Sequence, residues 1–231
     1  MYDAVNLPLR LNLLEAHEAA WRTIAAPGAF WSGAERLAII AESRNALTCA
    51  VCAERKEALS PRAVAGEHDT LGALPPTAVE AIHHIRTDPG RLTRRWFDEV
   101  IAAGLSVEAY VELVGVMNTA VILDSFSLAI GAGLTPLPEA RNGQPSGEAN
   151  DAVVDVGAWV PVQAADSDDG VGGLPKIPMI ARAMGRVPQA MALFFSVVRQ
   201  HYNLTDFPND LSRPQIELIA ARVSAINQCF Y

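Results

Sequence analysis

The stretch YVELVGVMNTAVILDSFSLAIGAGL, residues 110–134, constrains the fold more than any other part of the chain. It is apolar along most of its length and shows no strand-like alternation. A membrane span needs about 18 or more apolar residues with few or no charges, and Glu112 and Asp124 interrupt this one. The stretch therefore reads as a buried helix over 107–131, with Ser106 as its N-cap. Two carboxylates inside such a helix need partners, and Arg36, Arg44 or Arg222 can supply them in structural ion pairs.

Helical periodicity recurs through the rest of the chain. It predicts helices over 8–25, 33–59, 75–86 and 91–103, over 176–202 with a kink or break at Pro188, and over 213–231. Ser32 and Glu35 have capping-box spacing at the start of WSGAERLAIIAESRNALTCAVCAERKEAL, and SPRA stops that helix. Residues 135–173 are rich in Pro, Gly, Ser and Asp and read as a long loop, mobile or used to wrap a partner subunit. DAVVDVGAWVPV inside it is extended rather than a core strand. The expected fold class is all-α, with two helical halves, 1–134 and 174–231, joined by 135–173. The second half has too few helices to bury both faces of 213–231, which predicts a homodimer or larger homo-oligomer.

A chain of 231 residues that is 50% apolar can bury a substantial core. Its net charge of −8, with no block of Lys or Arg, argues against a nucleic-acid partner. MYDAVNLPLRLNLLEAHEAAW lacks the basic start and unbroken apolar run of a signal peptide, so a cytoplasmic location without membrane association is expected. Three cysteines, Cys49, Cys52 and Cys229, do not make a secreted disulfide framework. In a reducing compartment, a pair three residues apart is redox-active, metal-binding or simply buried as small apolar side chains. Zinc takes four ligands, and the nearby candidates His68, His83 and His84 stand in no recognised spacing, so no metal site is expected. His83 and His84 read as a surface and half-core pair on a helix. Trp21, Trp31, Trp96, Phe194 and Phe195 read as core or subunit interface.

On a helix, C-x-x-C places both sulfurs on one face, close enough to exchange. A thiolate that attacks a peroxide O–O bond becomes a sulfenic acid, and the neighbouring thiol condenses with it to a disulfide. An outside dithiol restores the pair, and a nearby carboxylate or histidine must move the protons. The last helix carries a related device. Laying Cys229 over Cys49 places Ser212 on Ser32 and Gln215 on Glu35, both at helix starts.

ELIAARVSAINQCFY, with Glu217 twelve residues before Cys229, resembles the motif of the alkylhydroperoxidase D-like group in the carboxymuconolactone decarboxylase superfamily. That motif is Glu, eleven residues, Cys-x-x-Cys, three residues, His, on an all-helical core. WSGAERLAIIAESRNALTCAVCAERKEALSP, with GRLTRRW and YVELVGVMNTAVILDSFSLAIG, is similar to the group's two-copy, peroxidase-related members. The resemblance covers most of the chain outside 135–173. It implies an AhpD-like helical fold and a thiol-dependent reductase of hydroperoxides, recycled by a thiol or dithiol donor without haem, flavin or metal. It also implies that Glu217 relays protons and Cys229 resolves in the second copy, while Cys52 attacks and Cys49 resolves in the first.

Both copies depart from the motif. In the first, the relay glutamate position holds Leu37 and the histidine position holds Lys56, and Glu42, seven residues before Cys49, is the candidate substitute. In the second, the attacking residue and histidine would follow Tyr231. A frame or cloning boundary explains that break, and so does a selenocysteine codon read as a stop; the codon after Tyr231 distinguishes them. Two other functions fit the residues: a decarboxylase-like small-molecule site worked by the acids, and a catalytically inactive helical assembly module.

Overall fold

The computed structural model describes residues 1–2, 5–164, 178–202 and 210–226. They are mostly helical with one two-stranded ladder, an all-α architecture. The helices are α1 (Leu11–Ile24), α2 (Gly33–Asn45), α3 (Ala50–Glu57), α4 (Pro76–Thr87), α5 (Arg94–Ala102), α6 (Val107–Ala129), α7 (Met179–Met184), α8 (Pro188–His201) and α9 (Arg213–Ile226). The ladder pairs β1 (Val153–Val154) with β2 (Val162–Gln163) in antiparallel register, Val153 opposite Gln163.

α6 is the helix around which the others pack. It contacts α1, α2, α4, α7 and α8, and Leu113, Val116, Met117, Ala120 and Leu123 are buried along it. Length and composition alone would let α6 cross a membrane, but 61% of its most apolar window is buried within the protein. Ser106 caps it by accepting from the Ala109 N–H at 3.1 Å. Gly115 allows α8 to come close, since a Cβ there would sit 3.0 Å from that of Ala190.

The two buried carboxylates of α6, Glu112 and Asp124, each have an arginine from α2. Arg44 grips Asp124 with two hydrogen bonds of 2.9 and 2.7 Å. Arg36 faces Glu112 at 3.5 Å, while the Phe30 N–H donates to the same carboxylate at 2.6 Å. Burial pushes Glu112 above the usual carboxylate range despite the pull of Phe30 and Arg36. These are the structural ion pairs expected of a buried helix carrying acids.

The structure changes two sequence expectations and bears out a third. The helix predicted over 33–59 is broken: α2 ends at Asn45, a single 3₁₀ turn covers Ala46–Thr48, and Cys49 is extended before α3. Asp69 takes the place of a carbonyl that a continuous helix would have offered to Ala50, and Asn45 ties the bend to the chain at Asp69. The Asn45 amide donates to Glu42 and to the Asp69 carbonyl, and Asp69 accepts from the Ala50 N–H at 2.9 Å. The break expected at Pro188 is present: the 176–202 pattern divides into α7 and α8 with Pro188 at the first position of α8, where its missing N–H costs nothing. Finally, the segment after 134 is irregular but lies along its own chain through 164. Arg141, Ser146 and Gly147 donate backbone bonds to Ala25, Gly28 and Ala29, and Asn150 to Arg186.

The two halves share one core, in which Val187, Ala190, Leu193 and Val197 join the apolar cluster of the first half. α9 repeats the start of α2. Ser212 donates through its N–H and hydroxyl to Gln215 at 2.8 and 2.9 Å, as Ser32 does to Glu35 at 2.8 and 2.7 Å. Unlike α2, α9 has no buried residue, and Leu218, Ile219, Val223 and Ile226 are exposed.

Candidate functional site

The break between α2 and α3 builds the site. Extended backbone at Cys49 (φ −67°, ψ 124°) makes it the N-cap of α3, and Cys52 follows in the first turn. Both are free thiols, 1% and 3% exposed. Burial opposes ionisation of Cys49. The Cys52 backbone N–H and His68 outweigh it, with further help from the Asp69 backbone, and hold Cys49 below the ordinary thiol range.

Two histidines close on the sulfurs. His83, fully buried on α4, places Nδ1 3.2 Å from the Cys52 sulfur. Its Nε2–H donates to Glu42 Oε1 at 2.9 Å. This assigns the tautomer: Nδ1 is the acceptor and the Cys52 S–H donates to it. Glu42 also accepts from the Asn45 amide, the Thr70 hydroxyl and the Leu71 N–H. Burial works against its ionisation, but these donors, His83 foremost, hold its carboxyl below the usual range. Burial, with the charge of His68, keeps His83 below its ordinary value in spite of Glu42.

His68 comes from the irregular chain between α3 and α4. Its Nδ1 lies 3.4 Å from the Cys52 sulfur and 3.7 Å from that of Cys49. Nε2 is 2.9 Å from Glu80. Burial would lower its pKa, but Cys52, Glu80 and Cys49 together push it up to about 10. In that charged form Nδ1–H donates to sulfur and Nε2–H to Glu80. Glu80, despite burial, is held well below the carboxylate range by His68, His84 and Arg55. His84 and Arg55 also meet Glu80, at 3.1 and 3.7 Å. Beyond His68 and Glu80 lies a cavity of about 500 Å³, which Thr70, Leu74, Pro76 and Val79 also line.

Two thiols thus stand beside two imidazoles, each imidazole backed by a carboxylate. Cys52–His83–Glu42 has the nucleophile, base and orienting acid in hydrogen-bond sequence. The four atoms nearest the centre, two sulfurs and two Nδ1, are also a ligand set for a soft cation.

Of the four residues that the sequence puts forward for catalysis, the structure brings Cys49 and Cys52 together. Glu217 instead accepts from the Tyr202 hydroxyl at 2.8 Å and pairs with Arg213. Cys229 lies outside the described residues. Leu37 is core and Lys56 is exposed, so neither stands in for the family's relay. Glu42 does reach Cys52, but through His83. His83, which with His84 reads from the sequence as a surface and half-core pair, is fully buried beside Cys52, and Glu80 joins the site without any mark in the sequence expectations. Glu80, His83 and His84 at i, i+3 and i+4 gave one usable signal: an acid and two imidazoles on one side of α4. His68 had no periodic signal at all. Comparison with protein-family models, curated proteins and solved structures finds no match to this chain.

Proposed function

We propose that the chain is a thiol-dependent oxidoreductase of the alkylhydroperoxidase D-like kind, reducing hydroperoxides at Cys49 and Cys52. The observation that carries this reading is the contact of 3.2 Å from the Cys52 sulfur to His83 Nδ1, with Glu42 2.9 Å behind the ring. His83 Nδ1 takes the Cys52 proton as the sulfur attacks the distal oxygen of ROOH. The O–O bond breaks, the sulfur becomes a sulfenic acid, and the leaving alkoxide collects that proton to depart as ROH. The Cys49 sulfur then displaces hydroxide from the sulfenic sulfur. Hydroxide leaves as water with the proton that Cys49 gives up, and a disulfide remains. A dithiol donor reduces it and is itself oxidised to a disulfide. Approach is from the cavity at His68, which touches both sulfurs and lines that space.

The acid-driven alternative has less support. Glu112 and Asp124 are occupied by Arg36 and Arg44. The apolar hollow of about 440 Å³ beside Ala181, Met191 and Phe195 has no carboxylate among its described lining residues. The exposed apolar side chains of α9 support a homo-oligomer in which a second copy covers them.

The test is a count of free thiols on the reduced protein after one equivalent of alkyl hydroperoxide, together with peroxide consumption under a dithiol. Two thiols should disappear in the wild type and none in Cys52→Ser, while Cys49→Ser should stall as a sulfenic acid trapped by a 1,3-dione. His83→Gln should slow peroxide consumption about 10²–10⁴-fold. Turnover that survives replacement of both cysteines would refute the proposal.

A further inference from the structure

The same four side chains have the dimensions of a closed metal site. A tetrahedral zinc ion has bonds of about 2.3 Å to sulfur and about 2.0–2.1 Å to nitrogen, which puts its S···N edges at about 3.5–3.6 Å. The edges here are 3.7 Å from Cys49 to His68, 3.4 Å from Cys52 to His68 and 3.2 Å from Cys52 to His83. All four ligand atoms lie within 4.8 Å of one another. Each imidazole presents Nδ1 to the centre and anchors Nε2 on a carboxylate, His83 on Glu42 and His68 on Glu80. That is the outer arrangement of histidine ligands to zinc, where a carboxylate fixes the ring and raises its basicity. The Cys49 and Cys52 sulfurs and the His83 ring are almost wholly buried, so water would not compete for the centre.

We infer that the reduced protein binds one zinc-class divalent cation through Cys49, Cys52, His68 and His83, and that oxidation of the two thiols releases it. Binding occupies both sulfurs as thiolates and leaves no open position, so the loaded protein is shielded from peroxide. Forming the disulfide uses two electrons from the two sulfurs and removes two of the four ligands, leaving two imidazoles to a cation that they cannot retain against solvent. The metal is thus a cap on the dithiol rather than a participant in peroxide reduction. Binding stands on the geometry alone, whereas release rests on the peroxidase reading above.

The full chain, reduced with a phosphine and freed of metal under argon, is titrated with Co²⁺ as a spectroscopic probe. Intense visible absorption of tetrahedral cobalt with thiolate-to-metal charge transfer is expected, saturating at one ion per chain and abolished by Zn²⁺. Glu42→Gln and Glu80→Gln should each weaken zinc affinity about 10–100-fold, with circular dichroism confirming that each variant is folded. Hydroperoxide added to the zinc-loaded protein should release one Zn²⁺, read by a chromogenic chelator, for every two thiols lost, and more slowly than the metal-free protein loses them. No tetrahedral cobalt spectrum from the wild type, or the same binding by the Cys49→Ser/Cys52→Ser variant, overturns the metal site. The thiol count of metal-free protein still decides the redox reading in that case. Tight binding with metal-free thiols inert to peroxide overturns release together with the peroxidase reading, and leaves a structural metal site.

Discussion

His17, fully buried on α1, shows how a single proton can matter in this molecule. Ser127 donates to the Tyr2 hydroxyl at 3.2 Å, Tyr2 donates to His17 Nδ1 at 2.8 Å, and His17 Nε2 is 2.8 Å from His201 Nε2. Followed in that direction, every hydrogen has an acceptor only while both rings are neutral. Protonation of His201 would turn two N–H donors on each other. Burial, and then the charge of His201, hold His17 down at about 4. Burial and Arg10 also lower His201. Because the folded pKa lies below the unfolded one, the stability gained by keeping His17 neutral is complete above about pH 6.5. It drains away as pH falls from there towards 4. The urea midpoint of the wild type should drop across that window, with a contribution from His17 on the order of 3 kcal/mol at most. His17→Gln should flatten the slope. An identical pH profile in the two proteins would contradict the assignment. His68, with its pKa raised, contributes the opposite slope above neutrality, so the comparison between proteins isolates His17.

At the scale of elements, the turn between α1 and α2 fixes how α6 is held. A Cβ on Gly28 would sit 1.7 Å from Glu112 Oε1, so only glycine lets the turn lie against the buried carboxylate. The same turn is tied to α6 by the Trp31 indole N–H, which donates to the Ala109 carbonyl at 2.9 Å. Gly28→Ala must displace Glu112 from Arg36 and from the Phe30 N–H, inside a core that has no slack. The expected loss is roughly 2–4 kcal/mol, read as a lower urea midpoint with unchanged m-value. A variant as stable as the wild type would mean that Glu112 has room to move. The break between α2 and α3 is the other decisive feature. An unbroken helix would have set Cys49 and Cys52 one turn apart on a cylinder. The 3₁₀ turn instead delivers Cys49 as a helix cap, with Asn45 and Asp69 stabilising the bend.

For the whole molecule, the two sequence halves share one core. α8 packs on both α1 and α6, and Gly115 lets it approach α6 closely. The two should therefore lose protection together. Native-state hydrogen exchange is expected to give amides in α8 the same opening free energy as those in α6. If α8 opened well before α6, the halves would be separate units and the shared core would be wrong. α9 stands apart, since none of its residues is buried, and its amides should exchange at a lower free energy than either.

The sequence alone determined the local choices. Hydrophobic spacing set the helices apart from the break between α2 and α3, the Ser32–Glu35 and Ser106 signals set two of their starts, and Pro188 marked the division between α7 and α8. Those are interactions between residues a few positions apart, and the pattern of side chains carries them directly. It also made Cys49 and Cys52 a pair and offered Arg36, Arg44 and Arg222 as partners for the buried acids, of which the structure uses the first two. Only the tertiary structure decided what surrounds the sulfurs. His68 arrives from a loop, His83 and Glu80 from α4, and Glu42 from α2, so the site depends on how three segments cross. No periodicity along one segment records such a crossing, because the hydrogen bonds and burial that select it exist only once the chain has closed on itself.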